Sequence, residues 1–160
     1  MARIGVTGHS DLPPETAELV YRALQDALRP DAGAGLVGVT CLAEGADQIF
    51  AQAILDLGGR YEVILPAPDY REKVVKPHNL GDFDELLKRA STVRYLPFET
   101  SGREAYLSAS KELISVSERL LAVWDGQPPR GPGGTADAVA HAREVGVPVE
   151  VIWPEDARRG

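Results

Sequence analysis

The fold of this chain is decided by Leu120-Leu121-Ala122-Val123-Trp124-Asp125-Gly126, an apolar run of strand length that ends in a turn. It is followed by Gly131-Pro132-Gly133-Gly134-Thr135-Ala136-Asp137 and then by an alanine-rich amphipathic run. A buried strand that leads through a glycine-rich loop into a helix can bind phosphate, because free N–H groups and the positive end of the helix dipole converge there. The glycine spacing matches neither the P-loop nor the Rossmann G-x-G-x-x-G pattern. The stretch therefore predicts a buried strand beside a site for a small phosphorylated ligand.

Apolar runs of strand length alternate with helical patterns along the whole chain. Strands are predicted at residues 3–6, 36–40, 61–65, 92–96, 120–124 and 147–153. Between them, apolar residues recur at three and four positions, which is the spacing of one helix face. Such alternation, with strands that are apolar along their length, is typical of a parallel sheet covered by helices on both faces. The sequence therefore predicts an α/β fold, a three-layer αβα sandwich around a mostly parallel six-stranded sheet.

The unusual loops follow the first, second and fifth predicted strands. In open parallel sheets, ligands bind beyond the carboxyl ends of the strands, where the strand order reverses. If these three strands are central, right-handed crossovers give the spatial order 4-3-2-1-5-6. That order brings Thr7-Gly8-His9, Glu44-Gly45 and Gly133-Gly134-Thr135 to one crevice, where they would share one ligand.

Composition limits the class of protein. With 160 residues and 44% hydrophobic content, we expect a single domain over residues 1–154 and a frayed tail over residues 155–160. The net charge of −7 and the pI near 5.0 lead us to expect no long nucleic acid as a partner, because nucleic-acid binding usually needs a basic face. The single cysteine, Cys41, excludes an intrachain disulfide framework. Neither a signal peptide nor an apolar run of the ~18 residues that cross a bilayer is apparent, which predicts a soluble cytoplasmic protein without a membrane partner.

Three short motifs, in the same order along the chain, resemble the SLOG superfamily. They are Gly5-Val6-Thr7-Gly8-His9, Leu42-Ala43-Glu44-Gly45-Ala46-Asp47 and Gly131-x-Gly133-Gly134-Thr135-x-Asp137. The superfamily groups LOG-type nucleoside monophosphate phosphoribohydrolases, DprA-type DNA-processing proteins and YpsA-like proteins on a Rossmann-like fold. The resemblance covers most of the chain. It implies that the protein binds a nucleotide or a related phosphorylated nucleoside, and in some relatives the N-glycosidic bond of that ligand is cleaved.

One departure from the LOG pattern P-G-G-x-G-T-x-x-E bears on catalysis. When its G-T is aligned on Gly134-Thr135, Ala138 stands where the catalytic glutamate is expected, and the acid of this chain is Asp137. One residue is a rotation of about 100° on a helix, so Asp137 does not simply replace that glutamate. The first expectation is therefore a binding or sensing protein. The alternative is an N-glycosidic hydrolase in which Glu44, Asp125 or Asp137 acts on the ribose or on the attacking water.

The residues expected to bind the ligand or its phosphate lie in the three loops and the proline-rich segment beside them. They are Thr7, Gly8, His9, Gly45, Arg130, Gly133, Gly134 and Thr135. Each also has a structural interpretation, since glycines permit turns, threonine caps helices and a turn histidine is often only exposed. Trp124 and Tyr106 are candidate stacking surfaces, although Trp124 is interpreted first as a packed residue.

A few residues bear on metal binding and on assembly. His78, His141 and Cys41 lack the spacing of metal ligands, so no metal site is predicted. We expect Mg²⁺ only as an ion that binds together with a nucleotide. Apolar Leu107, Leu113 and Ile114 lie on a partly polar helix, and they are the candidate interface of a homo-oligomer, most simply a dimer.

Overall fold

Strands and helices alternate along the chain in the computed structural model, which describes residues 2–128 and 134–160. The strands are β1 Ala2–Gly8, β2 Leu36–Thr40, β3 Arg60–Leu65, β4 Thr92–Tyr95, β5 Arg119–Val123 and β6 Val149–Val151. The α-helices are α1 Pro14–Leu28, α2 Ala46–Asp56, α3 Tyr70–Lys73, α4 Leu80–Arg89, α5 Arg103–Ser115 and α6 Thr135–Glu144. Two short 3-10 helices, Arg29–Asp31 and Pro77–Asn79, flank α1 and α4.

The six strands form one sheet in the order β4-β3-β2-β1-β5-β6. Every neighbouring pair is parallel, and Gly5 at the centre of β1 lies opposite Val39 of β2 and Leu120 of β5. The predicted strand order and the predicted Rossmann-like α/β fold are therefore confirmed. Because the strands are parallel, the carboxyl ends of β1, β2, β3 and β5 all meet at one edge of the sheet.

Helices cover both faces of the sheet. One hydrophobic cluster packs α1, α2 and α4 against the sheet, and a second packs α5 and α6 against the other face. Leu113 and Ile114 belong to the second cluster and are 3% and 1% exposed. The expectation that these two residues form an intermolecular interface is therefore wrong, since they are the apolar face with which α5 covers the sheet.

Residues 155–160 differ from the expected frayed tail. The Arg158 N–H donates to Thr16 Oγ1 at 3.0 Å, and the Gly160 N–H donates to the Asp11 carbonyl oxygen at 2.7 Å. These hydrogen bonds hold the segment after β6 against the β1–α1 loop and the start of α1. Within residues 2–128 and 134–160, every helix is too short or too polar to cross a bilayer.

Candidate ligand-binding cavity

A cavity of about 460 Å³ lies at the carboxyl edge of the sheet. Its described walls include His9 after β1, Cys41 after β2, Pro66 after β3 and Trp124 after β5. Helices α5 and α6 also contribute residues to the walls. The position follows from the topology, because each parallel strand delivers its next loop to this edge.

The structure brings some of the predicted ligand residues to this cavity and leaves others elsewhere. Those that line it are Thr7, Gly8, His9, Gly134 and Thr135. Gly45 and Glu44 line a second cavity instead, between α1, α2 and α4. There, Glu44 Oε2 lies 2.8 Å from His78 Nε2. Arg130 and Gly133 lie outside the described residues.

The three candidate catalytic carboxylates are not gathered on the cavity. Asp125 Oδ1 accepts a hydrogen bond from the Gln127 N–H at 3.0 Å and lies 3.3 Å from His9 Nε2. Asp125 is not among the described residues that line the cavity. Asp137 lies in the first turn of α6, where its N–H donates to the Gly134 carbonyl oxygen at 3.1 Å. Of the described residues that line the cavity, Asp47 alone carries a carboxylate. Asp47 was part of a quoted motif but was not predicted as a site residue.

Gly8 and Gly45 allow the backbone to approach closely. Gly45 has a φ of +90°, and a Cβ there would lie 2.6 Å from the His9 carbonyl oxygen. A Cβ on Gly8 would lie 2.4 Å from the Ala46 Cβ. The resulting contact lets the Ala46 N–H donate to the His9 carbonyl oxygen at 3.1 Å. The first amide of α2 is therefore used inside the fold.

The start of α6 borders the cavity. Gly134 precedes the helix, and no described side chain caps it. The N–H groups of Asp137 and Ala138 bond to the Gly134 carbonyl oxygen, while Thr135 and Ala136 line the cavity. The first amides of a helix and the positive end of its dipole attract anions. This end of the cavity is therefore suited to a phosphate or another anion.

His9 lines the cavity as a neutral side chain. Its Nε2 accepts a hydrogen bond from the Asp125 N–H at 3.1 Å, and its ring packs edge-on against Trp153 with the ring centroids 5.6 Å apart. Burial, and then the nearby charge of Arg159, lowers the pKa of His9. A neutral imidazole that accepts through Nε2 carries its proton on Nδ1. The Nε2 atom is thus used inside the fold, and the expectation that His9 donates a hydrogen bond to the ligand stays a prediction for its Nδ1–H.

Arg159 supplies the permanent positive charge among the described lining residues. Its Nε donates to Asp11 Oδ1 at 3.1 Å, and its side chain is 16% exposed. The ion pair holds the guanidinium against the cavity wall. Sequence reasoning missed this residue because it lies in a segment expected to be frayed, far from β1 in the chain.

Asp47 is held by the loop between β2 and α2. Its Oδ2 accepts a hydrogen bond from the Ala43 N–H at 3.2 Å, and the residue is only 7% exposed. The loop is also fastened by Gln48, whose Nε2 donates to the Leu42 carbonyl oxygen at 3.1 Å. Leu42 adopts a φ of +59° in this loop. Burial raises the pKa of Asp47 to about 7, because a desolvated carboxyl favours its neutral form.

Aromatic and apolar side chains surround this carboxyl. Tyr70 is 7% exposed and meets Tyr106 edge-on, with the ring centroids 6.5 Å apart. Burial, then the charges of Asp47 and Cys41, raises the pKa of the Tyr70 hydroxyl. Burial also raises the pKa of the Cys41 thiol, so both groups are neutral near pH 7. No sequence signal marked Tyr70, which follows β3 in a short helix without a motif.

No family model and no curated protein sequence matches this chain. Solved structures do share its fold. DNA processing protein A (DprA) from Streptococcus pneumoniae superposes with a TM-score of 0.68 at 17% identity, over 94% of this chain and 50% of that one. The DprA of Helicobacter pylori gives a TM-score of 0.69 at 15% identity, over 99% of this chain and 68% of that one. The chain thus spans half the length of the Streptococcus protein.

A cofactor carrier also shares the fold. The molybdenum cofactor carrier protein of Chlamydomonas reinhardtii gives a TM-score of 0.60 at 17% identity, over 94% of this chain and 76% of that one. At these identities the likeness concerns the fold.

The expectation of no long nucleic acid partner is contradicted by these neighbours. The Helicobacter pylori DprA structure describes binding of single-stranded DNA on the same fold. Net charge does not exclude such a partner, because it averages the whole surface whereas nucleic acids are bound by local groups. This chain has the Rossmann-like fold of the DprA and molybdenum cofactor carrier proteins, which is the fold that the resemblance to the SLOG superfamily implied.

Proposed function

We propose that this protein binds a small phosphorylated ligand, a nucleotide or a related phosphorylated cofactor, in the cavity at the carboxyl edge of the sheet. The volume of about 460 Å³ is within the range of roughly 300–1,000 Å³ that is usual for small-molecule sites. A carrier of the molybdenum cofactor on the same fold supports a role in binding a small ligand.

One observation carries this proposal: the two ends of the cavity differ in chemistry. The start of α6 and the guanidinium of Arg159 attract an anion on the side of β1 and β5. Asp47, Tyr70 and Tyr106 line the side of β2 and β3, where a flat ring can contact aromatic surfaces. A phosphorylated nucleoside combines an anionic end with a flat ring.

Hydrolysis of an N-glycosidic bond is the alternative function. The candidate acids Glu44, Asp125 and Asp137 are not among the described residues that line the cavity, which favours binding over catalysis. We keep Mg²⁺ as an expectation for a ligand that brings its own phosphates, because the described residues contain no group of three His, Cys, Asp or Glu side chains suited to a metal ion.

Calorimetric unfolding in the presence of millimolar GMP, AMP or CMP tests the proposal. A ligand present at ~100 times its dissociation constant stabilises a protein by ~2.7 kcal/mol, which is a rise in Tm of roughly 5–10 °C for a chain of this size. We expect such a rise with at least one monophosphate and a much smaller one with its nucleoside. The same mixtures report hydrolysis through the release of free base, and a single-stranded oligonucleotide in a parallel sample reports binding of the DprA kind. Neopterin monophosphate is tested in the same way as a phosphorylated cofactor. If neither a mononucleotide nor this compound raises the Tm, the proposed function is rejected.

The Gly134→Asp variant tests where the phosphate binds. A carboxylate at the start of α6 repels a phosphate, and at ~4 Å that repulsion is ~1–4 kcal/mol, which corresponds to at least a fivefold loss of affinity. The matched control is Gly134→Asn, which has a similar shape and no charge. We expect titration calorimetry to show weaker nucleotide binding by Gly134→Asp than by Gly134→Asn. Equal affinities would contradict a phosphate at this helix.

A further inference from the structure

We propose that Asp47 and Tyr70 select the ring of the ligand, and that they recognise the 2-amino-4-oxo-pyrimidine ring that guanine and pterins share. This ring presents a carbonyl oxygen, a ring N–H and an amino group side by side. The inference rests on the proposed function and names the ligand class of the same cavity.

The first argument is the unused hydrogen-bonding capacity of Asp47. Its Oδ2 accepts the Ala43 N–H, whereas its Oδ1 has no hydrogen-bond donor among the described residues. Oδ1 is also absent from the described buried side-chain atoms that are sealed from solvent without a partner, so it is accessible from the cavity. The bond from Ala43 explains how the carboxyl is held in place. It does not explain why a second acceptor oxygen faces the cavity, where a bound ligand can donate a hydrogen bond to it.

The second argument comes from Tyr70. The residue is 7% exposed and lines the same cavity, and its hydroxyl makes no hydrogen bond to any described residue. A buried tyrosine hydroxyl usually has a partner. Tyr70 and Asp47 are therefore two buried polar groups that line the same cavity and have unused hydrogen-bonding capacity. The hydroxyl of Tyr70 can donate, and the carboxylate of Asp47 can accept.

The donor and acceptor pattern identifies the ring. Two N–H donors favour the ionised form of a carboxyl, so Asp47 ionises when such a ring binds. The ionised carboxylate accepts only, which makes it complementary to two neighbouring N–H donors. Guanine and pterins offer these donors together with an adjacent carbonyl oxygen that the Tyr70 hydroxyl can donate to. Adenine presents an acceptor nitrogen at the position of the ring N–H, which would face the carboxylate unfavourably. Tyr106 lies edge-on to Tyr70 in the same cavity and supplies aromatic surface for a flat ring.

The length of the cavity fits this orientation. Asp47 follows β2 and Thr135 follows β5, with β1 between those strands. Strands lie about 4.8 Å apart, so the two ends are roughly 10 Å apart across the sheet. An elongated ligand is therefore needed to reach the carboxyl of Asp47 and the start of α6 together, as a ring joined to a phosphate can.

Titration calorimetry with GMP, IMP and AMP tests the inference. The three nucleotides share a phosphate and a ribose and differ in the ring. GMP offers a ring N–H and an amino group as neighbouring donors, IMP offers the ring N–H alone, and AMP has an acceptor nitrogen at that position. We expect affinity to fall in that order, with GMP at least about tenfold tighter than AMP. Neopterin monophosphate distinguishes the source of the ring, because tighter binding than GMP assigns the site to a pterin and weaker binding assigns it to guanine.

The Asp47→Asn variant is expected to change the ligand preference of the protein, which would not happen if Asp47 had only a structural role. Asparagine offers one acceptor and one donor, which complement XMP, whose ring has a carbonyl in place of the amino group of GMP. We expect Asp47→Asn to lose at least about tenfold in GMP affinity and to bind XMP more tightly than wild type does. Tyr70→Phe should weaken GMP binding by a smaller factor. Asp26→Asn, on the exposed face of α1, is the control and should change neither affinity.

The outcomes separate the two proposals. If GMP, IMP and AMP bind equally and Asp47→Asn leaves the preference unchanged, the assignment of the ring is overturned while the proposed function stands. If none of the mononucleotides and no phosphorylated pterin binds, both are overturned. Far-ultraviolet circular dichroism of each variant shows whether a loss of binding reflects a loss of fold.

Discussion

At the scale of single residues, Arg159 shows how a side chain distant in the chain can complete a site. The hydrogen bonds of residues 158 and 160 to Thr16 and Asp11 fix the backbone on either side of it. Its guanidinium is then held by Asp11 at the wall of the cavity, close enough to lower the pKa of His9. A fixed guanidinium loses less freedom on binding an anion than a mobile one does.

We therefore predict that Arg159→Gln binds phosphorylated ligands about 10- to 100-fold more weakly, which is the loss of one charge-assisted hydrogen bond. Arg158→Gln is the matched control, since this neighbouring side chain is exposed and does not line the cavity. Titration calorimetry with the best mononucleotide gives both affinities. Equal effects of the two substitutions would show that general charge is responsible and that Arg159 does not contact the ligand.

At the scale of elements, the entry into α2 depends on the backbone of Gly45. Gly45 and Gly33 both have positive φ values, +90° and +114°, that are strained for residues with a side chain. A Cβ on Gly45 would meet backbone atoms of His9 and Ser10 at 2.6 and 2.7 Å, whereas a Cβ on Gly33 would meet nothing within 4 Å. The two positions therefore share the conformational strain and differ in the steric clash.

We expect Gly45→Ala to lower the free energy of unfolding by roughly 3 kcal/mol or more, because strain and displacement of the β1–α1 backbone add together. Gly33→Ala should lower it by about 1–2 kcal/mol, from strain alone. Urea unfolding of both variants measures the difference. If both substitutions lower the free energy of unfolding equally, the steric clash predicted at Gly45 does not destabilise the protein.

At the scale of the whole molecule, the buried carboxyl of Asp47 links folding to pH. Its pKa is about 7 in the folded protein, against 3.8 for an unperturbed group. Between these values the folded state binds more protons than the unfolded state, so this group lowers the free energy of unfolding as the pH rises. The titratable groups beside it, Cys41 and Tyr70, stay neutral in this range because burial raises the pKa of each.

We predict that Asp47→Asn is more stable than wild type at pH 8, with an upper limit of about 4 kcal/mol, and that the advantage disappears below about pH 4. His9 contributes the opposite slope, because its pKa is lowered and its protonation opposes folding. Both proteins contain His9, so the difference between them isolates Asp47. Urea unfolding from pH 4 to pH 8 measures it, and parallel curves for the two proteins would contradict a raised pKa.

Part of the candidate site could be predicted from the sequence. Thr7, Gly8, His9, Gly134 and Thr135 line the cavity because each directly follows or ends a central strand, or starts the next helix. Glu44 precedes the first turn of α2, yet its side chain contacts His78 on the other side of the loop. Position along the chain predicts which loop reaches the edge of the sheet, but the side-chain direction depends on neighbours that are distant in sequence.

The sequence by itself determined the order of the strands and the edge of the sheet at which the cavity lies, because apolar periodicity and the handedness of crossovers act locally and leave few topologies. Only the tertiary structure decided that Asp47, Tyr70 and Arg159 line one cavity. These residues follow three different strands and meet through packing. The free energy of burying a carboxyl or fixing a guanidinium depends on that packing, and no local pattern of residues encodes it.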